Sequence, residues 1–187
     1  MVPHRLEAFS DGVMAVIITI TAFGIRPPSG SSVTDLGHEV PHLLVYVFSF
    51  VYIGIYWNNH HHLLRNTPRI SGAVMWANLH LLFWLSLVPV LTEWVGSEYR
   101  HPWPAATYGA AALGAAVAYW ILARSIIRAN DPGSLVSSAI GSDAKGLASI
   151  GIYAGGVGLA FATPWAAYAM YILVALIWLV PDRRLVR

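Results

Sequence analysis

Arg5, Glu7, Ser10 and Asp11 stand in one stretch, Arg5-Leu6-Glu7-Ala8-Phe9-Ser10-Asp11-Gly12, which runs at once into the apolar segment Val13 to Ile25. Charge inside or beside a membrane-length apolar run is costly and marks ion or proton handling by default. A second concentration of polar chemistry lies at Trp57-Asn58-Asn59-His60-His61-His62, and a third at Asn78 and His80 within another apolar run. The three adjacent histidines invite a metal reading. Consecutive helical residues point about 100° apart, so three neighbours cannot all reach one ion from a regular helix. Hydrogen bonding or an interface role is expected of them instead, and no metal is expected. His80 reads as a member of a polar network or a proton relay. No nucleophile–base pair is visible, so enzymatic chemistry is not expected. Glu93 and Glu98 could attract cations to an outer mouth, although a solvated loop explains them equally.

Composition sets the class that must hold these residues. The chain has 187 residues, 57% of them hydrophobic and 11% charged, whereas soluble domains carry about 25% charged residues. Mean hydropathy is +0.59. Several apolar stretches reach the roughly 20 residues needed to cross a ~30 Å hydrocarbon layer. The expected class is therefore an all-α, polytopic membrane protein, a single domain over residues 1–187. A net charge of +2 offers no basic surface for nucleic acid. The absence of cysteine excludes disulfides and thiolate metal sites. No bound cofactor is expected.

The pattern divides into six helices. The first runs from about His4 to Ile25, and Ser29 to Ser32 read as a flexible connection. The second runs to about Leu64, with Pro41 in its first turn, where a missing N–H costs little. The third covers about Ile70 to Trp94, with Pro89 as its kink, and Glu93 to Pro104 read as a polar loop. The fourth covers about Ala105 to Ile127. A polar linker from Arg128 to Asp143 follows, with a short amphipathic turn around Leu135 to Ile140. The fifth and sixth, about Ala144 to Ala162 and Pro164 to Val180, are separated only by Thr163-Pro164. Gly151, Gly155 and Gly158 make a small-residue face on the fifth, as Gly109, Ala112 and Ala116 do on the fourth; packing within the chain is their expected use.

Charge supports six spans. Arg5, Arg65, Arg69, Arg124, Arg128, Lys145, Arg183, Arg184 and Arg187 fall on the side of the termini, and only Arg26 and Arg100 on the other. The positive-inside rule then places both termini in the cytoplasm and the protein in the cell membrane. Trp94, Tyr99, Trp103, Trp165 and Trp178 fall near the expected interfaces, where amphipathic rings settle.

On a 100° wheel the first helix separates into faces. Val16, Ile20 and Phe23 share one, and Gly12, Ala15, Thr19 and Ala22 form a small-residue stripe beside it. Arg5 and Phe9 lie one turn apart, as do Glu7 and Asp11. Two carboxylates at a helix start suit the macrodipole, a purely structural reason to have them. That reason explains less well a Ser10-Asp11-Gly12 placed after Phe9, inside the expected span.

Arg5-x-x-x-Phe9-Ser10-Asp11-Gly12 running into Ala15-Val16-Ile17-Ile18-Thr19, followed by Trp57-Asn58-Asn59-His60-His61 and Asn78-Leu79, resembles the opening of the lysosomal potassium-channel family of the transmembrane protein 175 type, bacterial branch. The resemblance implies a cation channel for potassium, with other monovalent cations as further candidates. No Thr-Val-Gly-Tyr-Gly loop occurs, so selectivity by a ring of carbonyls is not implied. It implies instead a homotetramer in the lipid membrane, with first helices around the axis. Val16, Ile20 and Phe23 would then meet the ion with Thr19 beside them, a hydrophobic constriction that gates by dewetting. Family members usually carry isoleucine or leucine at the constriction, so Val16 and Phe23 depart from the pattern. Arg5, Phe9, Ser10 and Asp11 would anchor the helix, with Trp57, His61, Asn78 and His80 as partners. The competing reading is a proton-coupled secondary transporter using Asp11 and His80.

Overall fold

The computed structural model describes residues 3–25, 27–65, 67–130 and 143–179. They form seven α-helices: α1 (Pro3–Phe23), α2 (Val33–Arg65), α3 (Gly72–Ser86), α4 (Val88–Glu98), α5 (Pro102–Ala129), α6 (Ala144–Leu159) and α7 (Pro164–Leu179). Because α3 and α4 are two parts of one span, the architecture is an all-α bundle of six transmembrane passes. Four of these, α1, α2, α3–α4 and α5, are long and apolar enough to cross a membrane by themselves. The last two have 16 residues each, about 24 Å of helix.

Specific side chains show that successive passes run in opposite directions. Lys145 at the start of α6 lies with its Nζ 4.6 Å from the Trp178 ring centre at the end of α7. Trp178 also donates to Ser149 Oγ at 2.8 Å. Asn130 Oδ1, just past α5, accepts from the Arg69 N–H ahead of α3 at 3.0 Å. At the opposite end, the Tyr168 hydroxyl of α7 donates to the Tyr99 carbonyl at 2.9 Å. Arg5, Arg65, Arg69, Arg124, Arg128 and Lys145 therefore gather toward one end of the bundle, and Arg100 lies at the other. Arg26, Arg183, Arg184 and Arg187, like the linker turn expected at Leu135 to Ile140, lie outside the described residues.

The helix boundaries depart from the sequence expectations most at the start of α2 and the end of α4, while the break expected at Pro89 is present. α2 starts at Val33, so Pro41 sits inside it rather than in its first turn. Ser32 is a cap and not a flexible linker residue: the Ser32 N–H donates to Asp35 Oδ2 at 3.0 Å, and the Asp35 N–H to Ser32 Oγ at 3.2 Å. Reciprocal pairing of this kind satisfies donors that a helix start leaves open. The third span breaks at Leu87. Pro89 has no N–H for the carbonyl four residues back, and the Leu87 N–H turns to Trp84 O at 3.3 Å in a tighter turn. Finally, α4 continues to Glu98, so the polar connection shrinks to Tyr99–His101. Thr92 is tolerated inside because its hydroxyl is satisfied by Val88 O and Ser49 Oγ, both at 2.7 Å.

Between helices in lipid there is little hydrophobic drive, and close van der Waals packing of small residues takes its place. Ala105, Ala106, Ala111, Ala112, Ala115, Ala118 and Ala123 are all buried along α5, against which α3 and α6 pack. Gly109 belongs to this contact: a Cβ there would collide with the Tyr171 hydroxyl of α7. The small face of α6 behaves differently from expectation. Gly151 and Gly158 look onto open space, and Gly155 has only Met170 in van der Waals range. The close approach falls instead at Gly156, where a Cβ would meet Tyr171. The spacing of the glycines thus does not decide the face; the position of the bulky Tyr171 does.

Candidate functional site

α1 packs against α2, α3 and α4, and its residues divide sharply around the wheel. Leu6, Ser10, Met14, Ile17 and Thr21 are buried. Opposite them, Val16 is 56%, Ile20 50% and Phe23 80% exposed. Gly12, Ala15 and Thr19 are exposed beside them, and Ala22 is half-buried. One side of a membrane-length helix is therefore held by the bundle, and the other is an apolar, small-residue strip that no described residue of the chain covers.

The held side is fixed by polar bonds within an apolar interior. The Ser10 hydroxyl donates to Leu6 O at 2.8 Å, a side-chain bond back along its own helix. Its oxygen accepts from Asn78 Nδ2 of α3 at 2.9 Å. Asn78 Oδ1 lies 2.7 Å from His60 Nε2 of α2. With the amide nitrogen of Asn78 facing Ser10, its oxygen faces the ring, so His60 Nε2 carries the proton of this bond. Ser10, His60 and Asn78 have no solvent exposure at all. The three helices are thus joined through a single chain of hydrogen bonds, at whose far end His60 Nδ1 is buried without a hydrogen-bond partner among the described residues.

Two further bonds run between α1 and α2 along their outer contact. Trp57 Nε1 donates to Asp11 Oδ1 at 3.0 Å. His61 Nδ1 lies 2.6 Å from Glu7 Oε1. Glu7 and Asp11 are one turn apart on α1, Trp57 and His61 one turn apart on α2, and the order reverses as antiparallel neighbours require. These are two successive rungs of one ladder.

The structure thus brings Ser10, Asp11, Trp57, His61 and Asn78 together. Arg5 and Phe9 stand on the exposed side of α1, one turn apart and in line with the strip of Val16. His80 is exposed on α3 and accepts from Trp84 Nε1 of its own helix at 3.0 Å. Asp11 and His80 therefore make their hydrogen bonds to different partners. Sequence reasoning gave His60 only the general role of its histidine run and Glu7 only a place at the helix start, and counted neither among the anchoring residues. His60 could have been found from the wheel of α2, where it shares a face with Ile53, Tyr56, Leu63 and Leu64.

No H-E-x-x-H string was expected in the sequence, and that expectation is wrong. His38-Glu39-Val40-Pro41-His42 has the spelling H-E-x-x-H, which on a helix places two histidines on one face as zinc ligands. Here His38 is exposed on α2, while His42 Nε2 lies 3.3 Å from Ser97 Oγ of α4. His42 Nδ1 is 3.5 Å from Glu39. Among the described residues no three acidic or histidine side chains converge as ligands. The spelling coincides with helix packing at the end of the bundle away from Arg5 and Arg65.

Residues 5–89 match the family described as "Endosomal/lysosomal potassium channel TMEM175". That stretch contains every member of the α1–α2–α3 network. A "Potassium channel" of Chryseobacterium sp. (strain P1-3) is 49% identical over 185 residues, covering 99% of this chain and 96% of that one. A "Potassium channel" of Streptomyces collinus is 34% identical over 133 residues, 65% of either chain. The crystal structure of a lysosomal potassium-selective channel TMEM175 homolog from Chamaesiphon minutus superposes with a TM-score of 0.79 at 23% identity, over 97% of this chain and 98% of that one. At that identity the likeness is one of fold.

Proposed function

The chain belongs to the TMEM175 family, and on that premise we propose that it is a potassium-permeable cation channel built from four copies, each a single domain over residues 1–187. The observation that carries this reading is the two-sided character of α1. One side is tied to α2 and α3 by buried hydrogen bonds. The other presents Val16, Ile20 and Phe23, each at least half exposed, with Gly12 and Thr19 beside them. Four such helices around an axis form a closed symmetric arrangement. Their small residues permit close approach, and rings of Val16, Ile20 and Phe23 form a constriction that conducts when wetted and closes by dewetting. Thr19 supplies a hydroxyl at the same level, although its Oγ1 donates to Ala15 O at 2.9 Å.

In this assembly the polar network is the mount and the apolar strip is the conduction surface. Ser10 and Asp11 hold α1 from within the subunit. Arg5 and Phe9, which face away from their own bundle, anchor it across the contact between copies. Selection of potassium rests on the width and wetting of these rings, without a carbonyl filter. The end that gathers Arg5, Arg65, Arg69, Arg124, Arg128 and Lys145 is cytoplasmic under the positive-inside rule, which places both termini there and the channel in the cell membrane.

The test is electrical. Purified protein in planar bilayers should pass discrete currents whose reversal potential follows a potassium gradient. Silence across several lipids and voltages would refute the channel, and flux that saturates with turnover and follows protons would favour a proton-coupled transporter. An oligomer whose symmetry axis is lined by another helix would refute the assignment to α1.

A further inference from the structure

A groove of about 350 Å³ opens on the flank of the bundle between α2, α4 and α7, far from the α1 network. Its size falls within the roughly 300–1,000 Å³ of small-molecule sites. From Tyr99 and Trp165 at its mouth it follows α2 from Pro41 to Phe48, about 10 Å along the helix. Leu44, Trp165 and Ile172 line it and are also exposed at the surface, so the groove opens sideways. On helices that cross a membrane, the medium beside it is hydrocarbon rather than water.

The chemistry of the walls selects the guest. Among the described residues, no charged side chain lines the groove. Each of its four tyrosine hydroxyls already makes one hydrogen bond. Tyr171 donates to Ala105 O at 3.1 Å, Tyr168 to Tyr99 O at 2.9 Å, Tyr108 pairs with Ser49 at 2.9 Å, and Tyr99 accepts from Arg100 Nε at 3.2 Å. The Tyr99 proton, beside Arg100 at the mouth, is left to donate to a polar headgroup, whereas a polar group seated deeper would lose its hydration for little return. An aliphatic chain needs only ring faces and methyl groups. At the mouth the Arg100 guanidinium carbon lies 5.4 Å from the Tyr99 ring centre, and Arg100 is exposed. The neighbouring Glu98 is 3.5 Å from His101. A guanidinium beside an apolar slot at interfacial depth is complementary to a phosphate joined to an acyl chain.

We propose that this groove seats one acyl chain of a membrane phospholipid, with the lipid phosphate held by Arg100. Occupation keeps α2 and α7 apart at the outer end, where Tyr168 already ties α7 to the α4–α5 connection.

The test uses the full chain in vesicles of phosphatidylcholine and phosphatidylglycerol doped with a phosphatidylglycerol carrying a diazirine in the headgroup-proximal half of one acyl chain. After illumination and digestion, label should concentrate on peptides containing Leu44, Phe48 and Ile172. Val90 and Leu176 are comparably exposed outside the groove and should be labelled several-fold less. Arg100→Gln should lower groove labelling several-fold, and Leu44→Trp with Ile172→Trp should abolish it while Val90 labelling stays unchanged. Label spread evenly over exposed apolar residues would overturn the site. Groove labelling indifferent to Arg100→Gln would overturn the phosphate contact. Groove peptides shielded from lipid and cross-linked to a second copy would overturn it in favour of a subunit interface.

Discussion

The Ser10 hydroxyl and the Asn78 amide meet at 2.9 Å where neither side chain has any solvent exposure. Ser10→Ala would leave Asn78 Nδ2 without its acceptor inside an apolar contact, and an orphaned buried donor costs about 1–3 kcal/mol. Asn78→Leu would orphan His60 Nε2 and remove the bond that Ser10 accepts, leaving Ser10 only its bond to Leu6 O, and should cost more. Because the three residues form one chain, Ser10→Ala added to Asn78→Leu should lower stability by clearly less than the two separate losses. Thermal unfolding of the four proteins in one detergent checks this. Additive losses would mean that Ser10 and Asn78 do not act through each other.

The Asp11–Trp57 rung makes a distinct prediction about what kind of bond it is. Trp57→Phe keeps the ring and removes the donor, and should cost about 1 kcal/mol. Asp11→Asn preserves an acceptor for Trp57 Nε1 and should be milder than Asp11→Leu. On the Asp11→Leu background, Trp57→Phe should have almost no further effect. The same unfolding assay reads all four variants, and a large residual effect of Trp57→Phe there would place its role in packing.

What could be read from the sequence follows from what each signal depends on. The spans were legible because apolar length is a property of the string alone, and so was the break before Pro89, because proline acts on its own helix. The start of α2 was not, because Ser29 to Asp35 has the composition of a loop. Only the spacing of Ser32 and Asp35, three residues apart, marks a cap. The Ser10–Asn78 contact was within reach because few polar groups lie inside apolar runs, and they must meet one another. His60 was harder. It sits beside two other histidines, and which of the three turns inward depends on helix phase rather than residue type. His80 has the same type and depth as Asn78 but lies two residues on, which on a helix is the far side of α3.

Glycines on α5 and α6 should respond in opposite ways. At Gly109 a Cβ would strike the Tyr171 hydroxyl, so Gly109→Ala should destabilise by about 1–3 kcal/mol through overpacking. Tyr171→Phe removes the hydroxyl but leaves the ring carbon Cζ in the way of that Cβ, so it should relieve only part of the cost. At Gly151 a Cβ meets nothing, and Gly151→Ala should stabilise by about 0.5–1 kcal/mol through helix propensity. Gly151→Leu extends the question to assembly. If this face lies against lipid, the oligomer seen by size-exclusion chromatography and native mass spectrometry should be unchanged. Loss of the oligomer with retained helicity would put α6 between copies.

The strip of α1 yields the most direct prediction for conduction. Ile20 is half exposed and lies between Val16 and Phe23 on the same side of the helix, so a change there leaves the buried network untouched. In the proposed tetramer, Ile20→Asn would replace an apolar ring by four amides and favour a wetted constriction. Each ~1.4 kcal/mol removed from the permeation barrier is about tenfold in rate, so a modest gain in wetting should raise single-channel conductance several-fold. Potassium-over-sodium preference should fall at the same time. Leu176→Asn, at a site of similar exposure on α7, should change neither. Bilayer recordings of both variants under mixed potassium and sodium gradients decide the matter. Conductance unchanged by Ile20→Asn would remove Val16, Ile20 and Phe23 from the ion's path, because a ring that ions cross cannot be indifferent to four added polar groups.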